Sequence, residues 1–226
     1  MSRRCWLVLW CLWPLACPAA TPAAHVRFVN GLLDERAFDY DLCRLPAARA
    51  LAHGEVSAYA TVTPGRSLTS CRLADAETAL WESPLDYTDG WHTVLSLGTG
   101  KQATPVLLSD AVTPPSAQQA RLRLVGASNG LPGLEAELTS SAGSWRSGRF
   151  RPGEATSYLT VPAGEYRLTL HRAVPGAKLG PRLKTIPCLP LAGRSVYSGF
   201  TFGEIGGQAP WQQMRAVVQL DGPLSP

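Results

Sequence analysis

The sequence is poor in the residues and spacings that most enzymes need. It holds no HExxH, no GxxxxGK[ST] and no CxxC, and no Gly-Asp-Ser block or α/β-hydrolase nucleophile elbow is read in it. Zincin, P-loop, thiol-redox and zinc-knuckle chemistry therefore have no foothold. Lysine is scarce, at 3 of 21 basic residues. Beyond the first twenty residues no run is long and apolar enough to cross a membrane,. No long segment repeats its apolar residues at helical spacing, so a helical bundle is excluded as well.

The chain opens on Arg3 and Arg4, followed by an apolar run from Cys5 to Cys17 and the small residues Pro18-Ala19-Ala20. This order predicts a signal peptide over residues 1–20, too short to span, and a periplasmic mature chain that does not cross the membrane. Leu15-Ala16-Cys17 resembles the end of a lipobox with its leucine one place too close, which leaves lipid anchoring through Cys17 as the alternative. Loss of Arg3 and Arg4 brings the mature charge to about +2, which argues against a nucleic-acid binder with a broad basic face.

Of six cysteines, Cys43, Cys71 and Cys188 lie beyond the leader. In an oxidising compartment Cys43 and Cys71 are the disulfide candidate; their bridge would be worth ~3–4 kcal/mol by chain entropy. Cys188 is then the odd cysteine.

What is abundant is proline and glycine, 19 and 21 residues, spread between short apolar runs. That is the pattern of an all-β protein. The stretch Pro152–His171 reads as two strands joined at Pro162-Ala163-Gly164, as in a hairpin. Tyr166, Leu168 and Leu170 face a core; Glu165, Arg167 and Thr169 face water,. An earlier copy exists: His53-Gly54-Glu55-Val56-Ser57-Ala58-Tyr59 matches Pro152-Gly153-Glu154-Ala155-Thr156-Ser157-Tyr158. Val26-Arg27-Phe28-Val29 likewise resembles Leu122-Arg123-Leu124-Val125, in the same order. The prediction is two tandem β-sandwich domains, Ig-like or jelly-roll-like, of about 90–100 residues each and related by duplication. They span residues 24–112 and 120–226, joined by a proline-stiffened linker at 113–119,. Ala-rich Pro46–Ala52 reads as one helical turn.

Candidate site residues are few. His53 and Glu55 would share a strand face, but the second copy has Pro152 in place of the histidine. Glu55 and Glu154 either bind a ligand or cap a loop beside their glycines; their repetition favours the cap. Trp145 and Trp211 sit among Gly, Ser and Gln, where an indole either stacks on a sugar or protein partner or tucks onto the sandwich,.

The ordered set VRFVN, GEVSAYATVTPG, VLLSDAVTPPSAQQARLRLVGAS and PGEATSYLTVPAGEYRLTL resembles periplasmic alginate O-acetylation accessory proteins of the AlgF type and their relatives in acetylated-cellulose systems. It also resembles tandem bacterial surface β-sandwich domains of unknown function. The first resemblance implies a non-catalytic accessory protein without cofactor or metal. Its partners would be membrane or periplasmic acetyltransferase components and the exopolysaccharide. A generic surface module binding carbohydrate or protein is the alternative, and an esterase or acetyltransferase with an unfamiliar site the third reading.

Overall fold

A computed structural model describes residues 22–110 and 113–222. The predicted signal peptide, residues 1–20, lies outside the described residues.

The described residues form sixteen strands in two sets of eight. The first set is β1 (Ala24–Leu32), β2 (Phe38–Leu42), β3 (Leu45–Leu51), β4 (Ala60–Val62), β5 (Gly65–Leu73), β6 (Ala79–Tyr87), β7 (Gly90–Gly98) and β8 (Thr104–Asp110). The second is β9 (Gln119–Gly126), β10 (Leu134–Ser140), β11 (Gly143–Arg146), β12 (Leu159–Pro162), β13 (Gly164–Arg172), β14 (Arg182–Leu191), β15 (Ser195–Phe202) and β16 (Arg215–Leu220). Each set makes two four-stranded sheets. The orders are β3-β2-β5-β6 and β4-β1-β7-β8, then β11-β10-β13-β14 and β12-β9-β15-β16. Strand for strand the second pair repeats the first, down to one parallel pairing in each, β1 with β7 and β9 with β15. The protein is all-β, two tandem sandwiches of one topology.

Three apolar layers hold four sheets in a stack. Phe28, Phe38, Tyr40, Trp81 and Val94 fill the first sandwich; Leu122, Leu138, Phe150, Tyr166 and Leu168 fill the second. A third layer, Val29, Leu95, Leu97, Val125, Phe200 and Phe202, joins the two sandwiches through the sheets containing β1 and β9. These inner sheets are thus covered on both faces, as sheets with parallel pairs usually are. It explains why β1, β7, β9 and β15 are buried along almost their whole length.

Three expectations need correction. The Pro162-Ala163-Gly164 turn is not a hairpin: β12 pairs with β9 in the inner sheet, whereas β13 pairs with β10 and β14 in the outer one. The chain crosses from one sheet to the other at this corner, and the Tyr166 hydroxyl donates to the Pro162 carbonyl at 2.6 Å to hold it. The first copy crosses in the same way between β4 and β5. Pro46–Ala52 is strand, not helix: β3 pairs with β2 through a two-residue turn in which Cys43 and Arg44 have φ of 54° and 63°. Finally, Cys43, Cys71 and Cys188 are all free thiols. The Cys43 amide bonds the Leu68 carbonyl, three residues along β5 from Cys71, which is about 10 Å at strand rise and beyond disulfide reach. Cys43 is exposed on its turn, while Cys71 points into the core.

Candidate functional site

The two arginines repeated in VRFV and LRLV meet between the sandwiches. Arg27 on β1 donates from Nε to Thr93 of its own sheet and from Nη2 to Asp221, which follows β16 of the other domain. Arg123 on β9 donates from Nε to Ser198 of its own sheet and from Nη2 to Asp110, which ends β8 of the other domain. Each aspartate also accepts from the tyrosine of its own domain's repeat, Tyr59 to Asp110 and Tyr158 to Asp221, both at 2.7 Å. The arrangement is a pseudo-twofold: residue i of one domain meets residue j of the other, and the reverse. Burial opposes charge on Arg27, but Asp110 and Asp221 hold its pKa above the usual guanidinium value. Burial pushes both phenols well up, which keeps them donors. All four charged groups are shielded from solvent, so this network fixes domain placement and offers nothing to a ligand.

The Gly-Glu pairs have one role in both copies. Glu55 accepts from the Ala52 amide and Glu154 from the Arg151 amide, at 2.8 and 2.9 Å. Gly54 and Gly153 stand at φ of 80° and 81°, where an L side chain is strained,. His53 does not join Glu55. Its Nδ1 donates to the Leu32 carbonyl at 2.7 Å, its ring meets Phe202 and Trp211 edge-on, and Nε2 is buried without a partner. Burial and the nearby Arg215 lower its pKa.

Trp211 is therefore a domain-bridging contact, half-buried against His53 at 5.7 Å. Trp145 lies opposite Leu138 in the register of β11 and β10, half-buried with its ring edge-on to Tyr166 at 5.6 Å. Neither indole stands clear of the protein.

The spacing GxSxG does occur once, at Gly126–Gly130, which the sequence reading missed. Ser128 there is fully buried and donates to the Gly203 carbonyl at 2.8 Å, and the segment after it is a turn rather than a helix. It is a structural serine. Among the described residues no three His, Cys, Asp or Glu side chains gather as a metal site.

An open concave surface lies on the outer sheet of the second domain. A groove of about 670 Å³ is lined by Glu137, Thr139, Arg167, Thr169, His171, Arg182, Leu183, Lys184 and Thr185. It shares Thr139 and Arg167 with a second groove that reaches Glu165 and Pro187. It shares Leu183 and Lys184 with a third that reaches Glu204 and Gln213. Arg167, Arg182 and Lys184 are exposed and make no ion pair among the described residues. Glu137 is already engaged by Arg146 at 3.3 Å. His171 anchors to the Gly180 carbonyl at 3.0 Å, and its Nε2 has no partner. The groove is the wet half of the alternation in β13, legible in Arg167 and Thr169. Its other wall, Arg182–Thr185, lies where β14 shifts register against β13.

The fold and these surfaces define a tandem β-sandwich protein whose open face is polar and whose strongest internal chemistry is structural. Residues 24–137, just over half of the chain, match the family described as a domain of unknown function (DUF4397), and the chain belongs to that family. The match runs through the first sandwich and on into β9 and β10. No curated protein matches the chain. Among solved structures, a leucine-rich repeat protein from Bacteroides thetaiotaomicron aligns with 78% of this chain and 26% of its own at 13% identity, with a TM-score of 0.20. The chain spans about a quarter of that protein's length, and a TM-score so low defines no common fold.

Proposed function

We propose that the protein is a non-enzymatic, exported accessory protein of exopolysaccharide O-acetylation, alginate- or cellulose-type, that holds the glycan and docks acetyltransferase components. The observation that carries the binding part is the open polar groove across β10, β13 and β14, with hydroxyls and cations turned to solvent. Hydroxyl-rich polymers are held by such convergent polar groups. The acetylation part rests on the resemblance in sequence. Partner docking is assigned to Trp145, at the β11 edge of that same sheet, and to Trp211, with Glu55 and Glu154 shaping the loops beside the domain junction.

The second reading, a surface module for carbohydrate or protein outside acetylation, draws on one observation. The repeated motifs that carry the resemblance are corners and turn caps, which specify a fold more than a pathway.

Pull-down of acetyltransferase components by the purified protein separates the two readings: capture, weakened by Trp145→Ala or Trp211→Ala, supports the first, and no capture leaves the second. Turnover of a chromogenic acetyl ester should not exceed buffer, because an unactivated serine needs a positioned base and an oxyanion hole. Turnover abolished by His53→Ala would sink both.

A further inference from the structure

Resting on the reading of the protein as a glycan-binding module, we infer that its ligand is an acidic polysaccharide, bound as an extended chain by the second domain alone. Three observations carry this. The first is charge. Residues 22–110 hold seven Lys and Arg against eleven Asp and Glu, whereas residues 113–222 hold twelve against six. Two copies of one fold thus carry net charges of −4 and +6.

The second is where the cations sit. In the first domain's outer sheet, Arg49 and Arg72 are spent on Asp39 and Asp41 at 2.9–3.6 Å. At equivalent registers the second domain places Arg182 where the first has Ala79, and Lys184 where it has Trp81. None of these second-domain cations is spent on a carboxylate of its own chain among the described residues. The third is shape. The three grooves join through shared residues into one band that follows β13 from Glu165 to His171 and then rounds β14 to Gln213. Along β13 alone that is about 20 Å at strand rise, room for several sugar residues in a row. Thr139, Thr169 and Thr185 alternate with the cations and suit sugar hydroxyls. The main groove holds no Trp, Tyr or Phe; its one ring, His171, is tied to the Gly180 carbonyl, and Tyr166 beside the second groove is buried, so the row of stacking platforms that single-stranded nucleic acid uses is missing,.

The test is titration calorimetry of the full mature chain with oligouronates of two to eight residues, at 50 and 200 mM salt. Neutral cello-oligosaccharides of the same lengths and oligo-dT serve as comparison ligands. Affinity is expected to rise with oligouronate length, to fall several-fold at the higher salt, and to exceed that for either comparison ligand at least tenfold. Arg167→Ala/Arg182→Ala/Lys184→Ala should lower it at least tenfold, while Arg66→Ala/Lys101→Ala in the first domain stays within twofold. Arg182→Glu alone, which leaves the other two cations in place, should cost several-fold if the triple variant unfolds. Equal affinity for neutral and acidic chains overturns the acidic ligand but leaves the glycan-binding reading standing. Equal affinity for oligo-dT overturns it as unspecific charge attraction. Binding of no glycan at all overturns the reading on which it rests.

Discussion

The two sandwiches agree where they face each other and differ where they face water. In the charged network between them each residue has its counterpart: Arg27 and Arg123, Thr93 and Ser198, Asp110 and Asp221, Tyr59 and Tyr158. On the outer sheets the correspondence fails: Trp81 answers to Lys184, and Arg72, which pairs with Asp39, answers to His171. A buried charge pair cannot change one member at a time without stranding the other, whereas a solvated strand face has no such constraint. Duplication therefore left one face to hold the copies together and freed the other in each copy to acquire its own chemistry.

The largest expected effect breaks that junction. Asp110→Ala strands Arg123, takes one of two carboxylates from Arg27 and removes the acceptor of Tyr59 and Thr93; Asp221→Ala leaves Arg27 with Asp110 at 3.5 Å and removes the acceptor of Tyr158 and Ser198. Each should cost about 3–5 kcal/mol, read from urea unfolding, with Asp110→Ala the larger because Asp110 serves both arginines. A large cost from one and a negligible cost from the other would show that the symmetry is geometric only.

The turn glycines sharpen the comparison at the next level. Gly153→Ala forces a side chain into the left-handed region at a cost of about 1–2 kcal/mol, with only light contact to Leu97. Gly54→Ala carries the same strain and also drives its Cβ into the Arg215 guanidinium, whose Nη2 donates to the His53 carbonyl. Gly54→Ala should therefore be the more destabilising in thermal melts.

The sandwich pair was legible in the sequence because alternation and the repeated Gly-Glu motif are local signals. What joins those pieces was not. A corner and a hairpin both read as Pro-Ala-Gly between two strands, and only the partners β9 and β10 tell them apart. Arg27 and Arg123 were visible as a repeated pair, yet their carboxylates come from the opposite domain, 194 and 13 residues away in sequence. The groove was half visible, since Arg167 and Thr169 follow the period of a wet strand face, while what sets Arg182 and Lys184 beside them is a shifted pairing register that no local pattern encodes.

His53 separates the copies by pH. Its partner position is Pro152, which cannot titrate. Burial and Arg215 depress the His53 pKa in the folded state below the ordinary 6.5. The unfolded chain then takes up a proton first as pH falls, so the stability this group contributes is complete above about 6.5 and is lost below it, at no more than about 1.4 kcal/mol per pH unit. His53→Gln should flatten the stability profile between pH 6.5 and 5 by that one proton. An unchanged slope would mean that the ring is already solvated.

The smallest expected effect concerns the thiols. A Cys43–Cys71 bridge would contribute ~3–4 kcal/mol, lost on reduction. With Cys43 on an exposed turn and Cys71 facing the core three residues off in register, no bridge forms, and a reductant should leave the unfolding midpoint unchanged. Thiol labelling gives the sharper reading. Cys43 and Cys188 are exposed and should react in the native mature protein. Cys71 should not, because it is buried and burial raises its pKa to about 12, leaving almost no thiolate at neutral pH,. Two thiols accessible in the native state, Cys188 slowed because the Glu165 carboxylate raises its pKa, and a third released only on unfolding, is the expected count. One accessible thiol together with a reductant-sensitive midpoint would restore the bridge and move β2 along β5. The first domain's outer sheet would then depart from the register that the second domain repeats.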